Sequence, residues 1–144
     1  PKVLGTDGKK KMGKSENNHI ELALTPEETN KVVSTMVTDP QRVRRTDPGN
    51  PEVCNVFTLH KYFSNADKVS TIDTECRTAD IGCVDCKRML SDELNEHLGP
   101  FRERRAELAR NPQYIWDILH DGANRARTIA SKTIAEVKSA TGIA

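Results

Sequence analysis

Aromatic side chains are scarce in this sequence, with one Trp, two Tyr and three Phe among 144 residues. The core must therefore be aliphatic, and with 30% of residues charged it is expected to be helical. Long apolar runs are also missing. No stretch approaches the roughly 20 residues needed to span a bilayer, and no signal peptide is present, so a soluble, cytoplasmic protein is expected. Nor does charge of one sign prevail: 22 Lys and Arg against 21 Asp and Glu leave a net charge of +1. That balance argues against nucleic-acid binding over the whole surface but permits local basic patches, at Lys9 to Lys14, Arg42 to Arg45 and Arg102 to Arg110. There is no internal repeat and no low-complexity tract. The length is that of one modest domain. The chain opens at Pro1, without an initiator Met, in front of a loop expected to lie between other elements. The expectation is a C-terminal piece of something longer.

Caps and prolines divide what is there. Val3 and Leu4, and later Ile20, Leu22 and Leu24 alternating with Glu21 and Ala23, read as short extended segments around the lysine-rich loop. Thr25-Pro26-Glu27-Glu28 is a capping box with Pro at the first helical position, and it predicts a helix carrying Val32, Val33, Met36 and Val37 up to Asp39-Pro40. Pro40, Pro48, Gly49 and Pro51 make a shaped loop of residues 39 to 51. Asn50 then opens a helix with Val53, Val56, Phe57 and Leu59, stopping near Ser64. Ser64 or Asn65 caps another, reaching about Glu75, with Val69 and Ile72 facing inward. From Cys83 a long pattern of Leu90, Leu94, Leu98, Phe101 and Leu108 predicts a helix, kinked or broken at Gly99-Pro100. Asn111-Pro112 caps the last helix, with Ile115, Ile118, Leu119, Ala126, Ile129, Ala130, Ile134 and Val137 on one side and Gly142 at its end. Small residues at Gly122, Ala123, Ala126 and Ala130 suit the close approach of another helix, and Trp116 is expected to anchor a junction. The fold class is mainly α: a helical bundle preceded by a short extended segment and a basic loop.

Two sets of residues carry chemistry. Lys9-Lys10-Lys11-Met12-Gly13-Lys14-Ser15 is a basic loop whose glycines, Gly5, Gly8 and Gly13, allow close approach to a polyphosphate. Lys11 and Lys14 bring ammonium charge and Ser15 a hydroxyl. A lysine-rich loop read without its neighbours is equally a solvated surface. The second set is Cys54, Cys76, Cys83 and Cys86, the sequence's only cysteines, spaced C-x21-C-x6-C-x2-C. In a reducing compartment four clustered thiols more often bind metal than pair as disulfides. Cys83 and Cys86 lie at a helix start after Gly82, where backbone N–H groups and the helix dipole favour thiolate. Four thiolates suit tetrahedral zinc or a [4Fe–4S] cluster. A single C-x2-C does not favour zinc, and the plain alternative is a core Cys54 with three unligated thiols. His19, His60, His97 and His120 have no metal-like spacing.

The run from Gly5 to Ser15, the stretch from Thr38 to Glu52 and the tail from Gly82 through Lys87 to Gly122, Ala123 and Arg127 resemble the C-terminal part of bacterial tryptophanyl-tRNA synthetases, and nearly the whole chain is covered. The basic loop resembles the mobile KMSKS loop of class I aminoacyl-tRNA synthetases. The cysteine spacing is similar to that of members holding a [4Fe–4S] cluster beside the anticodon-binding region. The resemblance implies activation of tryptophan with ATP and Mg2+, then transfer to tRNA(Trp). It implies Lys11 and Lys14 as the two motif lysines that stabilise the triphosphate and Ser15 as the final serine, with Met12 and Gly13 completing the nucleotide-contacting loop. Gly13 departs from the motif, replacing its first serine. Residues 1–24 would then be the loop and end of the catalytic domain, and 25–144 the helical anticodon-binding domain with the four-cysteine site. The other parts of the catalytic site lie outside this chain, so the fragment alone is expected to be inactive, and to be monomeric although the complete enzyme is a homodimer.

For tRNA contact the candidates are Lys87, Arg88, Arg102, Arg104 and Arg105, near or downstream of the cysteines. Glu103 and Glu107 are spaced to pair with arginines of the same helix, which is the pattern of a solvated face. Arg42, Arg44 and Arg45 are expected to guide the acceptor end or to brace a domain junction. The competing reading is a non-catalytic helical metal-binding module that binds RNA or protein, with the lysine loop a basic tail; a structural bundle without ligand is the plainest.

Overall fold

The computed structural model describes residues 3–143. It divides into two compact units, one running through Arg102 and the other from Glu103 onward, with the boundary inside a helix.

The first unit holds the basic loop and four helical stretches. α1 spans Pro26–Ser34, α2 Asn55–Phe63, α3 Ala66–Arg77, and α4 begins at Cys83. The capping box forms as expected: Thr25 accepts from the Glu28 amide while the Glu28 carboxylate accepts from the Thr25 amide. α1 stops at Ser34 rather than reaching Val37. The Ser34 and Thr35 hydroxyls donate back to the Lys31 and Val32 carbonyls, and the Lys87 ammonium donates to the Ser34 carbonyl, so the last turn is tied off early. Asn50 opens only a 3₁₀ turn, Pro51–Val53, after which extended Cys54 serves as N-cap of α2. Asn65 caps α3 through the Lys68 amide, and that helix runs two residues past Glu75.

The alternating Ile20 to Leu24 segment forms no strand. Among the described residues the only β pairing is an isolated bridge between Leu4 and Lys11. Alternation specifies a strand only where a neighbouring chain accepts its ladder bonds; here the Leu24 amide closes a turn onto Glu21. The core is aliphatic and helical as expected: Val33, Met36, Val56, Leu59, Ile72, Ile81, Leu90 and Leu94 form one buried cluster with Phe57, Cys54 and Cys86. Val3 and Ile20 pack against it, so the loop segment shares the helices' core.

α4 extends from Cys83 to Ala109 without the expected break, with Pro100 inside it. Pro100 offers no N–H to the Glu96 carbonyl, but both residues are exposed and water can satisfy that carbonyl. In the second unit α4 ends and α5 spans Pro112–Thr141, capped by Asn111 through the Tyr114 amide and closed by Gly142 in the left-handed conformation. Its apolar side is not buried. Ile118, Leu119, Ile129, Ile134 and Val137 are all at least half exposed, and Trp116 is 56% exposed, beside His120 rather than anchoring a junction. A Cβ placed on Gly122 would touch nothing. A periodic stripe announces that a face needs covering, not that the same chain covers it.

Candidate functional site

The lysine loop is a folded hairpin, not a loose tail. The Leu4 to Lys11 bridge is reinforced by the Gly5 amide donating to the Lys10 carbonyl and the Met12 amide to the Val3 carbonyl, both 2.9 Å. Asp7-Gly8 makes the turn, with Gly8 at φ 64°. One Asp7 oxygen accepts from the Lys9 and Lys10 amides, and the other from the Asn18 side chain. The Lys9 amide first, then the Asn18 and Lys10 donors, hold the Asp7 carboxyl below its ordinary range.

Beyond the turn, Lys14–Glu16 is a 3₁₀ turn ended by Asn17 at φ 50°. Lys11, Lys14 and Ser15 are exposed, while Met12 and Gly13 are half-buried. Lys10 instead pairs with Glu16 at 2.5 Å. The loop therefore presents Lys11 and Lys14 to solvent from an ordered backbone. Two bonds tether its base to the helical part of the unit: Asn55 at the start of α2 donates to the Gly5 carbonyl at 2.7 Å, and the amide of Val37, in the segment after α1, donates to the Thr6 carbonyl at 3.2 Å. Sequence reasoning missed Asp7, Asn18 and Asn55 as organisers. Asp-Gly is a turn signature and gave a signal for the first. The two asparagines gave none, since a buried amide looks like any polar residue until its neighbours are known.

The four cysteines lie in the same unit, at the start of α2, in α3 and in the first turn of α4. Cys54 and Cys86 are buried, Cys76 and Cys83 half-buried, and no disulfide joins them. Burial raises the Cys54, Cys76 and Cys86 thiols, the last to about 12. Neighbouring sulfurs add to the effect of burial: Cys86 feels Cys54, Cys76 and Cys83, while Cys76 feels Cys54 and Cys83. Opposing this, the Phe57, Val56 and Asp39 amides favour thiolate at Cys54, and the Arg42 guanidinium, 3.8 Å from the Cys76 sulfur, does so there. Among the described residues no three His, Cys, Asp or Glu side chains are drawn around a single ion position. A zinc ion, with Zn–S near 2.3 Å, would have to pull the sulfurs inward.

The Pro-rich loop is the lid of this cysteine region. The buried Asp39 carboxylate accepts from the Gln41 and Asn50 amides, and the Gly49 amide donates to the Cys76 carbonyl at 2.9 Å. Gly49 is needed there, because a Cβ would sit 2.6 Å from the Cys76 sulfur. Arg42 donates to the Arg45 and Ile81 carbonyls, both at 2.8 Å, and Arg45 to Ala79 and Asp80. Both arginines brace the turn between α3 and α4, which lies between Cys76 and Cys83. Of the other basic candidates, Lys87 donates to Ser34 and Arg88 pairs with Asp85 at 3.0 Å. Arg102 is turned inward, donating to Asn95 at 2.9 Å and to buried Thr29 at 2.8 Å. In the second unit Arg104 pairs with Glu107, and Arg105 is exposed.

An exposed lysine pair on a braced hairpin, followed by helices, is the arrangement that comparison with known proteins resolves. Residues 1–99 match the family described as tRNA synthetases class I (W and Y). The chain belongs to this family. Among class I relatives, the tryptophan–tRNA ligase of Aquifex aeolicus is 45% identical over 97% of this chain and 35% of its own length. That of Deinococcus radiodurans is 43% identical over 98% and 43%. The crystal structure of the Campylobacter jejuni tryptophanyl-tRNA synthetase complexed with ADP and tryptophan superposes with a TM-score of 0.87 at 30% identity, covering 99% of this chain and 44% of that one. The chain thus spans well under half the length of these synthetases. No described helix is long and apolar enough to cross a membrane.

Proposed function

We propose that this chain acts as the C-terminal portion of a cytoplasmic tryptophan–tRNA ligase, which activates tryptophan with ATP and transfers it to tRNA(Trp). The observation that carries the reading is the braced hairpin presenting Lys11 and Lys14 in a chain whose relatives are tryptophan–tRNA ligases. In adenylate formation the tryptophan carboxylate attacks the α-phosphorus and pyrophosphate leaves. Negative charge grows on the leaving oxygens, and a preorganised ammonium aimed there lowers the barrier more than it lowers the ground state. Lys11 and Lys14 fill that role, with Ser15 as hydroxyl donor and the Met12-Gly13 backbone close to the nucleotide. Mg2+ accompanies the ATP and shares the phosphate charge. Residues 1–24 serve as the end of the catalytic domain and 25–144 as the helical domain that receives the anticodon.

Cys54, Cys76, Cys83 and Cys86 are the residues that would hold a [4Fe–4S] cluster. An all-sulfur donor set and a guanidinium at Cys76 support this, and a cluster is wider than one zinc ion. When bound it would staple the start of α2 to α3 and α4. Iron, sulfide and zinc analysis of anaerobically purified protein decides between cluster, zinc and neither. On the first unit Lys87 and Arg88 are the tRNA-facing candidates, with Arg102 acting as a brace between α4 and α1; on the second, Arg104 and Arg105. The complete enzyme is a homodimer and the fragment a monomer.

Pyrophosphate exchange in the complete enzyme tests the function. Lys14→Ala should slow adenylate formation by roughly 10²-fold or more, and this chain by itself should show no exchange. Unchanged exchange in the variant, or exchange by the isolated chain, would overturn the reading.

A further inference from the structure

We propose that Asn18 is the positioning residue that sets the lysine loop for catalysis, acting through a shared amide–carboxylate lock with Asp7. The inference rests on the ligase reading above.

Asn18 is 2% exposed, unlike the loop it supports. Its side-chain oxygen accepts from the Gly13 amide at 2.9 Å, and its side-chain nitrogen faces the Lys11 carbonyl at 3.4 Å and the Asp7 carboxylate at 3.2 Å. Its own carbonyl accepts from the Thr6 amide at 2.7 Å. One side chain thus grips the backbone on both sides of Met12, at Lys11 and one residue before Lys14. The fit is close: a Cβ on Gly5 would lie 2.2 Å from the Asn18 amide. Gly13 places no side chain in the loop, so its conformation must be imposed from outside the tip, and Asn18 is the buried group that does so. The lock raises the fraction of molecules with Lys11 and Lys14 already aimed. Such preorganisation acts on the transition state of the phosphate chemistry and makes no contact of its own with tryptophan.

The polarity of the Asp7–Asn18 pair supplies the decisive variant. Asn18→Asp sets two carboxylates against each other and loses the donor to Lys11. The double variant Asp7→Asn with Asn18→Asp exchanges the two roles. The side-chain amide introduced at position 7 donates to the carboxylate introduced at position 18. That carboxylate still accepts from the Gly13 amide, and the side-chain oxygen at position 7 still accepts from the Lys9 and Lys10 amides. Only the 3.4 Å bond to Lys11 is lost.

The test is pyrophosphate exchange in the complete enzyme with ATP and tryptophan varied separately. Asn18→Asp should lower kcat/KM for ATP by tenfold or more with KM for tryptophan within twofold, Gly5→Ala should reproduce the defect, and the double variant should recover most of it. Thermal unfolding of each variant accompanies the kinetics. The proposal is overturned if Asn18→Asp leaves the ATP parameters unchanged, if ATP and tryptophan parameters fall together, or if the swap restores thermal stability but not ATP kinetics. Lys14→Ala is the control: if it too is silent, the ligase reading of the loop fails, whereas a defective Lys14→Ala beside an unaffected Asn18→Asp removes the Asn18 assignment alone.

Discussion

At Arg42 a single guanidinium donates to two carbonyls from different segments, Arg45 and Ile81, and reaches the Cys76 sulfur. Arg42→Ala leaves the buried Ile81 carbonyl without that donor. Losing a buried partner costs about 1–3 kcal/mol, so urea unfolding of the chain should show a loss of that size, with the largest gain in amide exchange at residues 76 to 86. His60 gives the pH dependence. Its Nε2 lies 3.1 Å from the Cys86 carbonyl, which only accepts, so Nε2 carries the proton and Nδ1 accepts from the Ser64 hydroxyl at 2.7 Å. Burial holds this fully enclosed imidazole below its ordinary pKa of about 6.5. The unfolded chain therefore binds the proton first on acidification. The His60 contribution is complete above about pH 6.5 and is lost progressively below it, down to the folded pKa. Unfolding free energies between pH 7.5 and 5 should slope downward in the parent and less steeply in His60→Gln; equal slopes would contradict this.

Among the elements, α1 depends most on its cap. It has nine residues, short for a helix in isolation, and its ends are fixed by the Thr25–Glu28 box and the Lys87 bond to Ser34. Thr25→Ala should destabilise the chain by roughly 0.5–2 kcal/mol, read as a lower midpoint in a thermal or urea melt with unchanged slope. Sequence signals identified this helix because capping is local chemistry. The same reasoning overshot its end, because the Lys87 tie comes from a residue 53 positions away. α4 shows the converse: Gly99-Pro100 announces a break, yet exposure of Glu96 and Pro100 makes one missing ladder bond tolerable.

For the whole molecule, the two units differ in how they meet the hydrophobic demand of their sequences. The first unit has its own buried cluster; α5 of the second leaves Trp116, Ile129, Ile134 and Val137 half or more exposed. A chain shortened to residues 1–106 should therefore keep a single cooperative unfolding transition. The complete chain should bind a hydrophobic dye through α5 and the shortened one should not. Loss of cooperativity in the short form would show that its core is not self-sufficient.

Local chemistry in the sequence was enough for most of the helices, the caps of α1, α3 and α5 and the aliphatic core, and it marked the lysine and cysteine sets as candidates, because each of these depends on spacing within a few residues. Tertiary structure alone decided which groups hold those sets in place. Asn18 and Asn55 became organisers of the lysine loop, Arg42 and Arg45 braces of the turn between Cys76 and Cys83, and Arg102 a half-buried link rather than a free surface charge, because a hydrogen bond between distant segments leaves no period or motif in either of them. The uncovered face of α5 belongs to the same class: its stripe is local, and what lies against it is not.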